Sequence, residues 1–225
     1  MCGRFTLRTP LGLLVEQFLA EPAPALQLAL RYNVAPTQHV PVVRLDAGRR
    51  QLTTMHWGLI PSWAKDPKVG YSTINARADT LAAKPAFRTA FKKRRCLVLA
   101  DGYYEWLREG KQKLPYLYEV DGGRPFAFAG LWEQWWGENR EGPPLESCTI
   151  VTTSANELAR NVHDRMPVIL DEADQAAWLD PQQQDAAALA HLFDPFPADR
   201  MTIRPVSVYV NNARNEGPQC LENSA

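Results

Sequence analysis

Arg95-Cys96-Leu97-Val98-Leu99-Ala100-Asp101-Gly102-Tyr103-Tyr104-Glu105-Trp106 is the stretch on which the fold turns. Cys96–Ala100 and Tyr103–Trp106 are short apolar or aromatic runs split by Asp-Gly. Runs of that length, bounded by turn residues, read as strands rather than helix. The same reading extends downstream to Tyr116–Val120, Phe126–Trp132, Thr149–Thr153, Met166–Leu170 and a last strand near 201–210. Upstream it takes in residues 3–8, Val40–Leu45 and Leu52–Leu59.

Helices decorate this series. Thr9 reads as an N-cap with Pro10 at the first helical position, and Leu11, Leu14, Val15, Phe18 and Leu19 recur at helical spacing as a core face. One or two short helices are expected within 76–93, broken by Pro85, and two more at 172–179 and 184–193. Ser154 and Glu157 form an S-x-x-E capping box for another. Strands and helices do not alternate regularly, which argues against a doubly wound sheet. The expectation is a single α+β domain over residues 1–225, wrapped around a folded-over sheet.

The 25 basic and 25 acidic residues cancel, so bulk charge implies no nucleic-acid partner, and any such contact must use a local patch. No apolar run is long enough to span a membrane, and Met-Cys-Gly-Arg-Phe lacks the apolar core of a secretion signal. The four cysteines, Cys2, Cys96, Cys148 and Cys220, are scattered, with no CxxC or HExxH pattern. They read as reduced thiols of a cytoplasmic protein with no metal site and no cofactor.

Cys2 has a chemistry of its own. Removal of Met1 would leave a 1,2-aminothiol. An α-amine has a pKa of about 7.7–8.0, so part of it is neutral and nucleophilic near pH 7, whereas a lysine amine is not. An aldehyde forms a Schiff base with that amine, and the thiol then closes a five-membered thiazolidine. No internal cysteine can do this. Cys2-Gly3 equally opens the amidotransferases with an N-terminal nucleophile, in which the thiol attacks a glutamine amide. A cysteine at position 2 is also commonly incidental.

Four further segments narrow the choice: Arg31-Tyr32-Asn33-Val34-Ala35-Pro36; Trp57-Gly58-Leu59-Ile60-Pro61-Ser62-Trp63 followed by Ile74-Asn75-Ala76-Arg77-Ala78-Asp79; Arg95 to Trp106; and Val162-His163-Asp164-Arg165-Met166-Pro167-Val168-Ile169-Leu170. With Met1-Cys2-Gly3-Arg4-Phe5, and with Pro205-Val206-Ser207 and Asn211-Asn212-Ala213-Arg214 in the tail, they resemble the SRAP family of SOS response-associated peptidases, or abasic-site processing proteins. The resemblance covers nearly the whole chain. It implies a largely antiparallel, barrel-like β core with peripheral helices. It also implies a protein that caps abasic sites in single-stranded DNA through a thiazolidine crosslink at Cys2. The expected working form is a monomer, nucleoid-associated when bound, with replication-fork proteins as further partners.

The resemblance also assigns roles. Cys2, Asn75, Glu105 and His163 match the reacting set: Glu105 as proton carrier, His163 assisting opening of the sugar ring, and Asn75 hydrogen-bonding near the sugar. Arg4, Arg77 and Arg165 match phosphate contacts, for which a planar guanidinium is suited. Asn33, Pro36, Trp63 and Thr152 complete the DNA-facing set, Trp63 as a stacking surface. Ala64 stands where some members have a second Trp. Each residue has a plainer alternative: an edge-strand carboxylate for Glu105, a loop histidine paired with Asp164 for His163, a turn former for Asn75, a strand threonine for Thr152, ion pairs for the arginines and core packing for Trp63. Lys92-Lys93-Arg94-Arg95 is the densest basic run, read as a solvated helix end rather than a DNA groove. Cysteine-dependent peptidase activity, glutaminase activity and non-catalytic DNA reading are the competing functions.

Overall fold

The computed structural model describes residues 2–137 and 142–223. In chain order the elements are β1 (Phe5–Leu7), α1 (Leu11–Gln17), β2 (Glu21–Pro22), β3 (Arg31–Val34), β4 (His39–Asp46), β5 (Arg49–Trp57), β6 (Asn75–Arg77), α2 (Arg88–Lys93) and β7 (Arg95–Ala100). They continue with β8 (Gly102–Glu109), β9 (Gln112–Val120), β10 (Phe126–Trp135), β11 (Leu145–Ser154), β12 (Arg165–Pro167), β13 (Ile169–Leu170), α3 (Glu172–Leu179) and β14 (Met201–Pro205). The fold is α+β, as the strand pattern indicated, and it carries two largely antiparallel sheets.

One sheet has the order β14-β9-β8-β1-β3. The other runs β12-β11-β10-β7-β4-β5-β2 and folds back on itself, because β11 also pairs with β5, in parallel, through Ser147–His56 and Cys148–Trp57. Strands β5, β4, β7, β10 and β11 therefore close a five-stranded ring. β7, packed on both of its faces, is buried at all six positions. Its side chains alternate: Leu97 and Leu99 join the cluster under α1, α2 and α3, while Cys96, Val98 and Ala100 join the cluster that includes Cys2, Phe5 and Tyr103. Phe5 lies 5.1 Å from Trp57 and 6.0 Å from Phe128, which locks the first sheet onto the ring.

Asp101-Gly102 is where the chain leaves one sheet for the other. The buried Asp101 carboxylate accepts from Thr6 Oγ1 (2.7 Å), Thr9 Oγ1 (3.0 Å), Arg8 Nε (3.1 Å) and the Arg8 backbone N–H. The N-cap expectation at Thr9 fails for that reason: its hydroxyl is spent on Asp101, and α1 starts after an uncapped Pro10. The helix also ends sooner than its spacing indicated. Leu14 and Phe18 are buried, but Leu19 takes φ +50 and is 75% exposed.

Three other local expectations are corrected. Ser154 ends β11 and is exposed; Asn156 caps the following turn instead, accepting from the Ala159 N–H at 2.8 Å. Residues 184–193 form turns with a 3-10 segment at Ala190–Phe193, and the last strand stops at Pro205. Asn75–Arg77 is a strand rather than a helix start, held in parallel against Ile150–Thr152. No helix among the described residues is long and apolar enough to cross a membrane.

Candidate active site

The N-terminal segment runs between the two sheets. β1 is pinned on both sides, Phe5 standing opposite Val34 and Tyr103, and the Arg4 carbonyl accepts from the Tyr104 N–H at 3.0 Å. Cys2 is thereby drawn fully into the core. Its carbonyl oxygen accepts from Asn75 Nδ2 at 2.8 Å, and Asn75 Oδ1 is buried with no hydrogen-bond partner among the described residues. Burial pushes the Cys2 thiol well up, and the nearby Glu105 charge adds to the push, so the sulfur stays protonated at neutral pH.

Strand alternation on β8 puts Tyr103 and Glu105 on one face and Tyr104 on the other. Tyr103 stacks on Tyr118 with ring centroids 4.6 Å apart. Both phenols are pushed up by burial, so their hydroxyls remain neutral donors; neither has a hydrogen-bond partner among the described residues. Glu105 is 4% exposed. Loss of solvation raises its carboxyl above the usual range, and the neighbouring His163 pulls in the opposite direction.

His163 Nδ1 accepts from the Arg165 N–H at 3.0 Å and lies 2.9 Å from Asp164 Oδ1. Both cannot be hydrogen bonds at once. A backbone N–H only donates, so Nδ1 carries the lone pair and the proton sits on Nε2. Asp164 itself is 87% exposed.

Glu105 and His163 share a cavity of about 430 Å³ with Arg4, Trp106, Arg108, Lys113 and Asn211. Arg4 donates to Asn33 Oδ1 (2.6 Å) and the Val210 carbonyl (2.9 Å), with its guanidinium 5.5 Å from the Trp106 ring. It carries a full charge against neutral acceptors, which leaves that charge for an anion. Arg165 is similar: it donates to Thr152 O and Oγ1, and both burial and the like charge of Arg77 press its pKa down. Arg77 is held by a fork to Asp79 at 2.6 and 3.1 Å.

The sequence-selected residues thus fall into three groups. Cys2, Asn75, Glu105, His163 and Arg4 converge on the cavity and the core behind it. Arg77 and Arg165 lie beside Thr152, near the end of β11. Trp63 is 64% exposed, in a loop tied to Trp135 through the Ala64 carbonyl; Trp135 stands opposite Leu145 at the other end of β11. The two ends are about 30 Å apart at 3.3 Å per residue. Pro36 is half-buried, next to the Thr37 N–H that bonds the Trp57 carbonyl.

Two assigned side chains are wholly buried. Asn33 is spent on Arg4 and, through Nδ2, on the carbonyls of Asn212 (3.0 Å), Asn215 (2.8 Å) and Val210 (3.3 Å). Thr152 is spent on Arg165. Both hold an arginine in place. Of the basic run, Lys92 and Lys93 are exposed on the last turn of α2, while Arg95 is buried and donates to the carbonyls of Phe91, Trp178, Asp180 and Gln183. Sequence reasoning missed Trp106, Arg108, Lys113 and Asn211. Trp106 and Asn211 lie in segments that carry the family resemblance, and the Gly110-Lys111 turn pairs β8 with β9 locally; that the C-terminal segment brings Asn211 to the same cavity is a long-range contact no local pattern announces.

The fold thus sets a core-facing cysteine, a desolvated carboxyl and an imidazole at or behind a cavity lined by Arg4, Arg108 and Lys113. The family model described as SOS response associated peptidase (SRAP) matches residues 1–213, and the chain belongs to that family. Abasic site processing protein YoqW of Bacillus subtilis (strain 168) is 44% identical, over 99% of each chain. Abasic site processing protein HMCES of Xenopus tropicalis is 37% identical, over 84% of this chain and 65% of its own length. A crystal structure of a protein from Bacteroides thetaiotaomicron superposes with a TM-score of 0.87 at 26% identity, covering 100% of both chains.

Proposed function

We propose that this protein captures abasic sites in single-stranded DNA, forming a thiazolidine between the lesion aldehyde and Cys2 after Met1 is removed. The reading rests chiefly on one observation: Cys2 is held through its carbonyl by Asn75, against a desolvated Glu105, behind a cavity that bears unneutralised arginine. A neutral thiol makes the amine the first nucleophile. The amine adds to the aldehyde carbon, and the carbinolamine loses water as the Schiff base forms. The sulfur then adds to the same carbon while its proton passes to nitrogen. The net change is aldehyde plus aminothiol to thiazolidine plus one water.

Glu105 carries protons in these steps, since a raised carboxyl exchanges them nearer neutrality. His163 Nε2–H gives its proton to the ring oxygen of the closed sugar as the C1–oxygen bond breaks, while the Glu105 carboxylate takes the proton of the C1 hydroxyl, which becomes the aldehyde carbonyl. Asn75 Oδ1 accepts from a sugar hydroxyl. Arg4, Arg77 and Arg165 hold flanking phosphates, and Trp63 and Pro36 meet neighbouring bases. One strand needs one site, so the working form is a monomer. A protonated, buried thiol is poorly suited to peptide hydrolysis, which favours capture over the peptidase reading.

The test is a denaturing gel of the Met1-processed protein with single-stranded DNA carrying one abasic site. A heat-stable shifted band should appear, and should need both the lesion and Cys2, vanishing in Cys2→Ala. With Cys2 confirmed as N-terminal by mass spectrometry, no band would sink the capture reading and turn attention to glutaminase and peptide cleavage.

A further inference from the structure

On the β8–β9 hairpin, Arg108 stands directly opposite Lys113. Opposed positions of an antiparallel pair share a face, and like charges placed there repel. Among the described residues no ion pair engages either one. Arg8, Arg31, Arg44, Arg94 and Arg200, by contrast, are each matched to a carboxylate. The repelling pair lies on the face of β8 that also carries Trp106, and it lines the same cavity as Glu105 and His163. Trp106 is fixed there by its Nε1–H bond to Asn211 Oδ1 (2.6 Å), and Asn211 in turn donates to the Lys113 carbonyl (3.2 Å). The C-terminal segment thus braces this wall of the cavity.

We propose that Arg108 and Lys113 bind adjacent phosphates of the DNA strand on one side of the lesion, with Trp106 against the intervening nucleotide. The inference rests on the DNA-binding reading above and extends it. Arg77 and Arg165 hold the strand by β11 and β12, and the hairpin holds it on the other side of His163 and Glu105. A strand gripped on both sides of the reacting sugar cannot slide the lesion out of register. An anion between Arg108 and Lys113 also turns their repulsion into two attractions.

The experiment measures non-covalent binding to a single-stranded oligonucleotide carrying a tetrahydrofuran abasic analogue, which has no aldehyde, across a salt series. Each phosphate contact on a single strand contributes about 0.7 to the slope of log affinity against log salt. The Arg108→Gln/Lys113→Gln double variant should therefore lose about 1.4 from the slope and bind about 25-fold more weakly at about 0.1 M salt. Arg108→Lys/Lys113→Arg should keep the slope. Lys92→Gln/Lys93→Gln, which removes two exposed cations from α2, should also leave it unchanged. An unaltered slope in the first variant, or an equal loss in the Lys92/Lys93 variant, overturns the proposal. The analogue cannot crosslink, so failure of covalent capture on authentic abasic DNA is a separate outcome and leaves this measurement decisive.

Discussion

Asn33 offers the sharpest test of how the C-terminal segment serves the site. Its Nδ2 donates to the carbonyls of Asn212 and Asn215 at 3.0 and 2.8 Å, with a longer contact to Val210, and its Oδ1 accepts from Arg4 at 2.6 Å. Two neutral hydrogen bonds contribute about 1 kcal/mol each, and the charge-assisted one about 1.5–3 kcal/mol. Asn33→Ala should cost about 3–5 kcal/mol, because the abandoned carbonyls lie against a buried side chain. In a chain of this length that is a fall in Tm of about 6–20 °C. Urea melts give the stability, and single-turnover crosslinking to abasic DNA gives the function. Asn33→Asp separates the two effects. It keeps an oxygen for Arg4 but faces the tail carbonyls with a carboxylate, so it should lose stability while retaining more of the capture rate than Asn33→Ala. A loss below about 1 kcal/mol in Asn33→Ala would refute the clamp. Equal capture rates in the two variants would refute the role given to the Arg4 contact.

Three shorter expectations follow from other parts of the structure. Glu105 is raised by burial, so the folded state binds its proton more tightly than the unfolded state does; that contribution is full below about pH 4.3 and is lost as pH climbs from there to the folded value. Glu105→Gln should therefore melt like wild type in acid, gain relative stability as pH rises towards neutrality, and crosslink slowly; a relative loss of stability over that window would contradict the desolvation account. Trp63→Ala removes a 64% exposed ring and should change stability by no more than about 0.5 kcal/mol, while weakening single-strand binding by about 1–3 kcal/mol; titration against an abasic analogue checks it. Gly58 has φ +136, and a Cβ there would meet the Gly70 carbonyl oxygen at 2.6 Å, so Gly58→Ala should lower the urea midpoint by displacing the loop ahead of β6; an unchanged midpoint would show that the loop yields at no cost.

The strand content was legible because its signals are local. Cys96–Ala100 is a short apolar run that stops at Asp-Gly, and that suffices to specify a strand whichever sheet it joins. The chemistry proposed for Cys2 comes from sequence as well, since one cleavage would give an aminothiol, and the ordered segments from Cys2 to Arg165 pointed to the family. The turn at 184–193 was misread because alanine-rich composition favours helix, while the packing of Leu189 and Leu192 needs only short turns. What tertiary structure alone decided is long-range. The parallel β5–β11 contact that closes the ring joins Trp57 to Cys148, and nothing near either residue announces it. Burial of Cys2, desolvation of Glu105, the diversion of Asn33 and Thr152 to holding arginines, and the bracing of Trp106 by Asn211 all depend on which segments become neighbours. Sequence periodicity sets which way a side chain points from its own backbone; the charge, solvent and partners it meets there are set by chain segments dozens of residues away.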